Sequence, residues 1–420
     1  MSGKIRIRMY NVGFGDCFLI ELPGKKTILV DAGFHSQGKG DFGGNELAEQ
    51  IIADAEAISG SKRIDVVIAT HRHQDHVYAF NSAKWEELEV GEVWMPWVED
   101  RDNLKATRLW KKQNGFALQL KAALSSFQLA EEERKNVEFM LWNAGVDFGM
   151  DAGGWSNRAA LDCLHEGFAH RDRQRPRFLP GTDEFPETFE STTLPGVKIH
   201  VIGPPRDPDL IEELDPDADG ETYRALTLRA AAAAPGGAGE IEAPFAVEWQ
   251  VNDQQPGFRL EPDDVALLQK VAQNADAVLA AEKVDGMINS TSLVLVLEVG
   301  SARLLLPGDA EWGTWKRILA NNDARDLLKG VTFFKVGHHG SHNATSVTLV
   351  EEVLPKKIPA MISTQQGAGN YRNNIPLSDL ITALKDREHR CVRSDRANQP
   401  LPAGFRKGTG GHWIDLELAC

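Results

Sequence analysis

The chain has 420 residues, of which 42% are hydrophobic and 25% are charged, so it can bury a full core and has the composition of a globular protein. Its 46 Lys and Arg residues and 61 Asp and Glu residues give a net charge of -15, which disfavours a surface that coats long nucleic acids. A local phosphate site is compatible with this charge, because bound divalent cations would reverse the sign of the field around them.

The cysteines and the N-terminus indicate the compartment. Cys17, Cys163, Cys391 and Cys420 are too few and too scattered for a disulfide framework. The first residues alternate as a strand does and lack the apolar core of a secretory signal. No apolar run approaches the roughly 18 residues that a membrane span needs. We therefore expect a soluble, cytoplasmic protein with no membrane association.

The first 70 residues alternate between strand and helix patterns. Lys4 to Tyr10, Cys17 to Leu22 and Thr27 to Val30 have the alternation or the compact apolar runs of strands. Apolar residues recur with a helical period between 44 and 59, and Ile64 to Ala69 is a continuous apolar run typical of a buried strand. This order predicts an α/β fold whose chemistry lies in loops at strand ends.

The pattern loosens between about 99 and 285. We predict an amphipathic helix at 103–127, a charged stretch at 129–137, and a core strand from Lys198 to Ile202. Regular structure then returns as three predicted strands and a helix: 292–299, 302–306, 331–336 and the helix around Leu380.

Three histidines and one aspartate lie within six residues, in Thr70-His-Arg-His-Gln-Asp-His76, directly after the apolar strand. His71 and His73 alternate onto one side of an extended turn and can share one metal ion, whereas Asp75 and His76 begin a helix and can face a second ion. Imidazoles with a carboxylate suit zinc, and also manganese or iron. Later strand ends supply Asp309, in Leu304-Leu-Leu-Pro-Gly-Asp309, and three more histidines in Lys335-Val-Gly-His-His-Gly-Ser-His342.

The order of strand, histidine cluster, strand, aspartate, strand and histidine pair resembles the metallo-β-lactamase superfamily, over residues 4–100 and about 286–418. More narrowly, the chain is similar to the ComEC/Rec2-like branch. The matching motifs are Asn11-Val-Gly-Phe-Gly-Asp-Cys17, Val30-Asp-Ala-Gly33, Asn289-Ser-Thr-Ser-Leu-Val-Leu295, Pro307-Gly-Asp309 and Val336-Gly-His-His-Gly-Ser341. The resemblance implies an α/β (α+β) fold, the αββα four-layer sandwich, with a large central insertion. Residues 1–100 and 286–420 would form its two halves, and 101–285 the insertion or subdomain.

The resemblance also implies roles for individual residues around two divalent metal ions. His71 and His73 would hold the first ion, Asp309 would bridge both, and the second ion would be held by Asp75, His76 and His339. Asp31 would orient a ligand histidine. His338 would contact a substrate oxygen or protonate the leaving group, so that Asp75, Asp309 and His338 are the predicted catalytic residues. The remaining residues expected behind the ligands or near substrate are Asn289, Ser341 and His342.

One position departs from the superfamily pattern. Many members have a further histidine just after a middle strand, which completes the shell of the first ion, and here Gly203-Pro204-Pro205 stands in that place. His200 lies within the strand, and we interpret it as a core or surface residue. The first ion would then have only two imidazoles, the bridging carboxylate and water.

Two metal ions would lower the pKa of a bridging water to roughly neutral, for attack on phosphoesters or activated acyl bonds. The Gly-His-His-Gly-Ser-His motif, and the nuclease and phosphodiesterase activities associated with the ComEC-like branch, favour hydrolysis of a small or locally held phosphoester. Two alternatives remain open. An acyl hydrolase of the lactonase or thioesterase type is expected if Trp94, Trp97 and Trp110 line the cleft. A non-catalytic metal-binding protein would instead use the insertion to bind a protein partner.

Overall fold

Two β-sheets form the centre of the computed structural model, which describes residues 3–35, 38, 40–124, 131–146, 157–168, 175–214, 221, 277–341, 343–367 and 375–420. The strands, in chain order, are β1 Lys4–Tyr10, β2 Cys17–Leu22, β3 Lys26–Ala32, β4 Arg63–Ile68, β5 Glu89–Pro96, β6 Arg177–Leu179, β7 Glu187–Glu190, β8 Val197–Gly203, β9 Val294–Val299, β10 Ala302–Leu306, β11 Phe333–Lys335, β12 Pro359–Ile362, β13 Arg390–Arg393, β14 Phe405–Lys407 and β15 Trp413–Ala419.

The helices lie between these strands. They are α1 Gly44–Ser59, α2 Gln74–Val77, α3 Leu104–Ala123, α4 Glu131–Asn143, α5 Asn157–Glu166, α6 Pro208–Glu212, α7 Ala277–Asn289, α8 Trp312–Ala320, α9 Asn322–Leu328 and α10 Ser378–Asp386. The predicted strands and helices are thus confirmed, with boundaries that differ by one to a few residues. The charged stretch at 129–137 belongs largely to α4.

Each half of the sequence contributes mainly to one sheet. In the described residues, one sheet has eight strands in the order β14-β15-β1-β2-β3-β4-β5-β6, and the other has seven in the order β13-β12-β11-β10-β9-β8-β7. Strands β3 to β6 run parallel to one another, as do β10 to β13. The pairs of β1 with β2 and β15, of β2 with β3, and of β9 with β10 are antiparallel. The carboxyl ends of the parallel strands therefore gather at one edge of each sheet.

Burial divides the core into layers. One apolar cluster joins the facing sides of the two sheets, with residues such as Ile7 and Val66 packed together with Leu295 and Leu304. A second cluster packs α1 onto the outer side of the eight-stranded sheet, and a third packs α8, α9 and α10 onto the outer side of the seven-stranded sheet. The order helix, sheet, sheet, helix is the αββα sandwich predicted from the sequence.

Part of the predicted insertion is integral to the sheets. Strand β6 extends the eight-stranded sheet beside β5, and β7 and β8 extend the seven-stranded sheet beside β9. The boundaries at 101 and 285 remain a prediction about domain organisation, but residues 177–203 lie within the sandwich rather than outside it. Among the described residues, no helix is both long and apolar enough to cross a membrane.

The loop after β3 passes very close to the start of α2. A Cβ atom on Gly33 would lie 2.3 Å from the carbonyl carbon of Asp75 and 2.3 Å from the amide nitrogen of His76. Glycine at this position therefore lets the Val30-Asp-Ala-Gly33 segment contact the backbone of the histidine cluster.

We predict that Gly33→Ala will lower the free energy of unfolding by about 1–3 kcal/mol, because the new methyl group must displace backbone. Chemical denaturation of the purified variant measures this change. Gly181→Ala is the matched control, since a Cβ atom there meets its nearest neighbour only at 3.6 Å. Equal stability of the two variants would contradict the close approach at Gly33.

Candidate metal centre

All six predicted metal ligands converge at the strand ends. His71 and His73 follow β4, Asp75 and His76 lie in α2, Asp309 follows β10, and His339 follows β11. Four pairs of their side-chain atoms define the cluster: His71 Nε2 to His73 Nδ1 at 3.1 Å, His76 Nε2 to Asp309 Oδ2 at 3.0 Å, His339 Nε2 to Asp75 Oδ2 at 2.9 Å, and His339 Nε2 to Asp309 Oδ2 at 3.8 Å. Every ligand is at most 2% exposed.

Three of the four histidines use one ring nitrogen outside the cluster. His339 Nδ1 donates to the carbonyl oxygen of Ser363 at 2.9 Å, and His76 Nδ1 donates to Asp31 Oδ2 at 2.8 Å. His71 Nδ1 lies 3.2 Å from the Thr70 hydroxyl, whose own hydrogen is donated to Asp31. Because a neutral imidazole has one N–H group, these contacts leave the Nε2 lone pairs of all three rings directed into the cluster.

The inward nitrogens face other acceptors, and this arrangement fits a cation. His339 Nε2 faces an Asp75 oxygen, His76 Nε2 faces an Asp309 oxygen, and His71 Nε2 faces His73 Nδ1. Two lone pairs at about 3 Å repel each other unless a proton or metal ion lies between them. Imidazole nitrogens and carboxylate oxygens are the donors that Zn²⁺ and similar divalent ions accept, so the residues fit the predicted cofactor.

The pKa shifts favour neutral rings at His71 and His73 and positive charge at His76 and His339. Burial, together with the neighbouring histidines, lowers the pKa of His71 well below its usual range, and burial lowers the pKa of His73 to about 3. Burial also disfavours charge on His76 and His339, but the surrounding carboxylates outweigh it and raise the pKa of both. Cationic charge is therefore stabilised where Asp75 and Asp309 meet these two rings.

A buried lysine fixes the orientation of Asp309. Lys335 Nζ lies 3.4 Å from Asp309 Oδ1 and also forms an ion pair with Asp16. The backbone amide of His338 donates to the same Oδ1 at 2.9 Å. Since Oδ1 is held by these two donors, Oδ2 is the oxygen that faces His76 and His339. Asp16 and Lys335 both lie within the sequence motifs named above, but their spacing did not indicate a role for either.

Asp16, Asp31 and His76 form another possible set of metal ligands. One ligand atom from each of the three residues lies within 4.8 Å of the others. We do not interpret it as another metal position, because Asp31 already accepts from Thr70 and His76, and Asp16 is paired with Lys335. Asp31 therefore lies where the sequence placed it, behind a ligand histidine. Its own pKa is raised by burial, although His76 opposes that shift.

Backbone conformation at the site is unusual. Asp31, His338 and His339 have φ angles of 56°, 45° and 51°, in the left-handed region that non-glycine residues seldom adopt. Each costs on the order of 1–3 kcal/mol and persists only where surrounding contacts enforce it. Three of the six described non-glycine residues with positive φ therefore belong to the predicted site.

A polar group surrounds His338 beside the predicted ligands. Asn289 Nδ2 lies 3.3 Å from His338 Nε2 and also contacts Asp285 and Glu311 at 3.2 Å each. Burial lowers the pKa of His338 to about 4, so the ring is neutral near pH 7. Asn289 is thus placed at His338, and its role towards a substrate stays a prediction. No motif in the sequence pointed to Asp285 or Glu311.

The remaining predicted residues lie elsewhere. Ser341 Oγ contacts the Asn343 side chain at 3.3 Å rather than a ligand, and His342 lies outside the described residues. His200 is in β8, 3.0 Å from the hydroxyl of Thr188 on β7, which agrees with its interpretation as a residue of the sheet. Trp94 and Trp97 are buried, at 0% and 1% exposure, and Trp110 is 40% exposed on α3.

Comparison with known proteins agrees with this fold and centre. The family profile described as Metallo-beta-lactamase superfamily matches residues 10–84, which contain the cluster from His71 to His76. Over this segment the chain is similar to the metallo-β-lactamase superfamily, and it resembles the ComEC-like branch. It is 27% identical over 161 residues to ComE operon protein 3 of Bacillus subtilis (strain 168). The match covers 33% of this chain and spans only 19% of that relative's length.

We predict that Asp31→Asn will weaken the affinity of the ion bound by His76 about 10- to 100-fold, because the ring loses the carboxylate that sets its tautomer. Competition between the protein and a chromogenic chelator for Zn²⁺ measures this affinity. Asp65→Asn is the matched control: Asp65 is also buried and accepts from the Thr27 amide, but belongs to no ligand group. Unchanged Zn²⁺ affinity in the folded Asp31→Asn variant would contradict the assigned role.

Proposed function

We propose that this metallohydrolase cleaves phosphodiester or phosphoester bonds and uses two divalent metal ions, with zinc as the expected metal. His71 and His73 would hold one ion, Asp75, His76 and His339 the other, and Asp309 would be shared. The observation that supports the proposal most strongly is the set of inward ring nitrogens facing carboxylate oxygens at about 3 Å.

Bound divalent cations supply an activated water nucleophile near neutral pH and offset negative charge that develops on the substrate. The chain's own residues orient the reaction. Lys335 and the His338 amide hold Asp309 so that Oδ2 faces the ligands. Neutral His338, next to the ligand His339, would contact a substrate oxygen through a ring N–H. Its lowered pKa favours this hydrogen-bonding role over protonation of the leaving group.

The charge of the site supports a strict requirement for metal with an anionic substrate. Asp16, Asp31, Asp75 and Asp309 are buried around the histidines, with Lys335 as their close cationic partner. Without divalent cations, this group of carboxylates would repel a phosphodiester. We therefore propose a small or locally held phosphoester as substrate, because the net charge of -15 disfavours extended contact with nucleic acid.

Two of the three tryptophans on which the acyl-hydrolase alternative depended, Trp94 and Trp97, are buried in apolar clusters and do not support it. Trp94 packs between the sheets and donates to Glu92, and Trp97 packs near α3 and donates to the Pro205 carbonyl. The side chains placed near His338 are polar instead: Asn289, Asp285 and Glu311. A cytoplasmic location, and binding of a protein partner through residues 101–285, remain predictions.

We expect purified protein to contain about two divalent ions per chain and to hydrolyse bis(p-nitrophenyl) phosphate faster than a p-nitrophenyl ester. Asp309→Ala should lose at least one ion and most of the turnover, because it removes the shared ligand. Plasma mass spectrometry and the two chromogenic assays measure these quantities, and Asp65→Asn is the control. Ester turnover alone would indicate an acyl hydrolase, and no metal with no turnover would leave only the non-catalytic alternative.

For His338 we predict a separation of metal binding from turnover. Asn is the substitution of choice, because it tolerates the positive φ of 45° at this residue. His338→Asn should retain both ions, since the inward ligand is His339, but lower kcat about 100-fold through loss of the ring contact. Metal content and steady-state kinetics test this. A variant with full kcat would show that His338 is dispensable for the reaction.

A further inference from the structure

Asp285 lies in α7, away from the strand ends that carry the predicted ligands. It is 5% exposed and is directed towards two histidines of the centre. Its Oδ1 lies 3.6 Å from His73 Nε2, and its Oδ2 lies 4.0 Å from His338 Nε2. Asp285 Oδ2 also accepts from Asn289 Nδ2 at 3.2 Å, which holds the carboxylate in place.

The two facing atoms are both left unsatisfied. Asp285 Oδ1 and His73 Nε2 are buried, and neither has a hydrogen-bond partner among the described residues. Burying such a pair without a hydrogen bond is costly, and a shift of about half an ångström would bring the atoms within hydrogen-bond distance. The two atoms are therefore a donor and an acceptor that face each other, and a small movement would bring them into a hydrogen bond.

His73 is the predicted ligand histidine whose ring nitrogen outside the cluster had no partner so far. The other three rings have outer nitrogens bound by Thr70, Asp31 and Ser363. In His73 the roles of the ring nitrogens are reversed, because Nδ1 faces His71 Nε2 at 3.1 Å and Nε2 is the outer nitrogen. Asp285 approaches that outer nitrogen.

We propose that Asp285 is a positioning residue for His73: its carboxylate accepts a hydrogen bond from His73 Nε2–H, so that Nδ1 keeps the lone pair that binds the first metal ion. The inference rests on the proposed function, because it assigns a role relative to the proposed metal pair. Asp285 would then act on His73 as Asp31 acts on His76, by accepting a hydrogen bond from the ring.

This contact matters more here than in a site with a full set of ligands. Gly203-Pro204-Pro205 stands where many superfamily members have a third histidine for the first ion. With only two imidazoles and Asp309, the affinity of that position depends strongly on the tautomer of each ring. Two contacts anchor helix α7 and the segment after it. On the helix, the Met287 carbonyl accepts from Gln113 Nε2 at 2.7 Å. Just beyond the helix, the Leu293 amide donates to the Thr70 carbonyl at 2.8 Å.

Titration of the metal-free full chain with Mn²⁺, followed by calorimetry and by electron paramagnetic resonance, tests the proposal. Asp285→Asn should weaken the binding of one ion about 10- to 100-fold and leave the other unchanged. At intermediate Mn²⁺ concentration, the spectrum should change from coupled to isolated ions. Glu282→Gln, one turn earlier on α7, is the matched control and should leave both affinities unchanged.

Two further variants separate positioning from a general structural effect. Asp285→Glu keeps the carboxylate and should retain more affinity than Asp285→Asn. In a His73→Ala background, Asp285→Asn should have no additional effect, because it acts through His73. Equal affinities of the Glu and Asn variants, or additive losses with His73→Ala, would overturn the proposal.

The same titration distinguishes this inference from the proposed function. If the wild-type chain binds two ions and Asp285→Asn binds both with unchanged affinity, only the role of Asp285 is wrong. If the wild-type chain binds no Mn²⁺ or Zn²⁺, the metal centre itself is wrong, and the role of Asp285 with it.

Discussion

Acceptor atoms face acceptor atoms in the centre of this protein, and much of the surrounding structure maintains that arrangement. The Nε2 lone pairs of His76 and His339 are directed at carboxylate oxygens because Asp31 and the Ser363 carbonyl occupy the opposite nitrogens. A proton on each ring or a bound divalent cation relieves this repulsion, and the site can exchange one for the other. The strained backbone at His338 and His339 and the buried Lys335 are features that such a preorganised site requires.

The two sheets contribute differently to the centre. The eight-stranded sheet places the histidine cluster and Asp31, whereas the seven-stranded sheet places Asp309 and His339. The apolar layer between the sheets fixes the distance between these two groups of ligands. Packing of residues such as Val66 and Leu304 therefore sets how far apart the two groups of predicted ligands lie.

Local patterns predicted most strands and helices and the candidate ligands, because each depends on residues close in sequence, whereas the four-layer sandwich was implied by the family resemblance. Compact apolar runs indicated the strands, and three histidines with one aspartate within six residues left little alternative to a metal site. Strands β6 and β7 span only three and four residues, so neither has enough alternation to stand out as a strand in the sequence. Asp16 with Lys335, and Asp285 with His73, are pairs brought together only by tertiary packing. No spacing in the sequence signals such contacts.

The pairing of His76 with Asp309 joins residues that are 233 positions apart. A metal ion shared by them acts as a cross-link that closes a very long loop, comparable in its entropic effect to a disulfide bond. The ions would then be structural staples between the two sheets as well as reaction components. Because the ligands are almost completely buried, exchange of a bound ion with solvent should be slow and should quicken when the fold is destabilised.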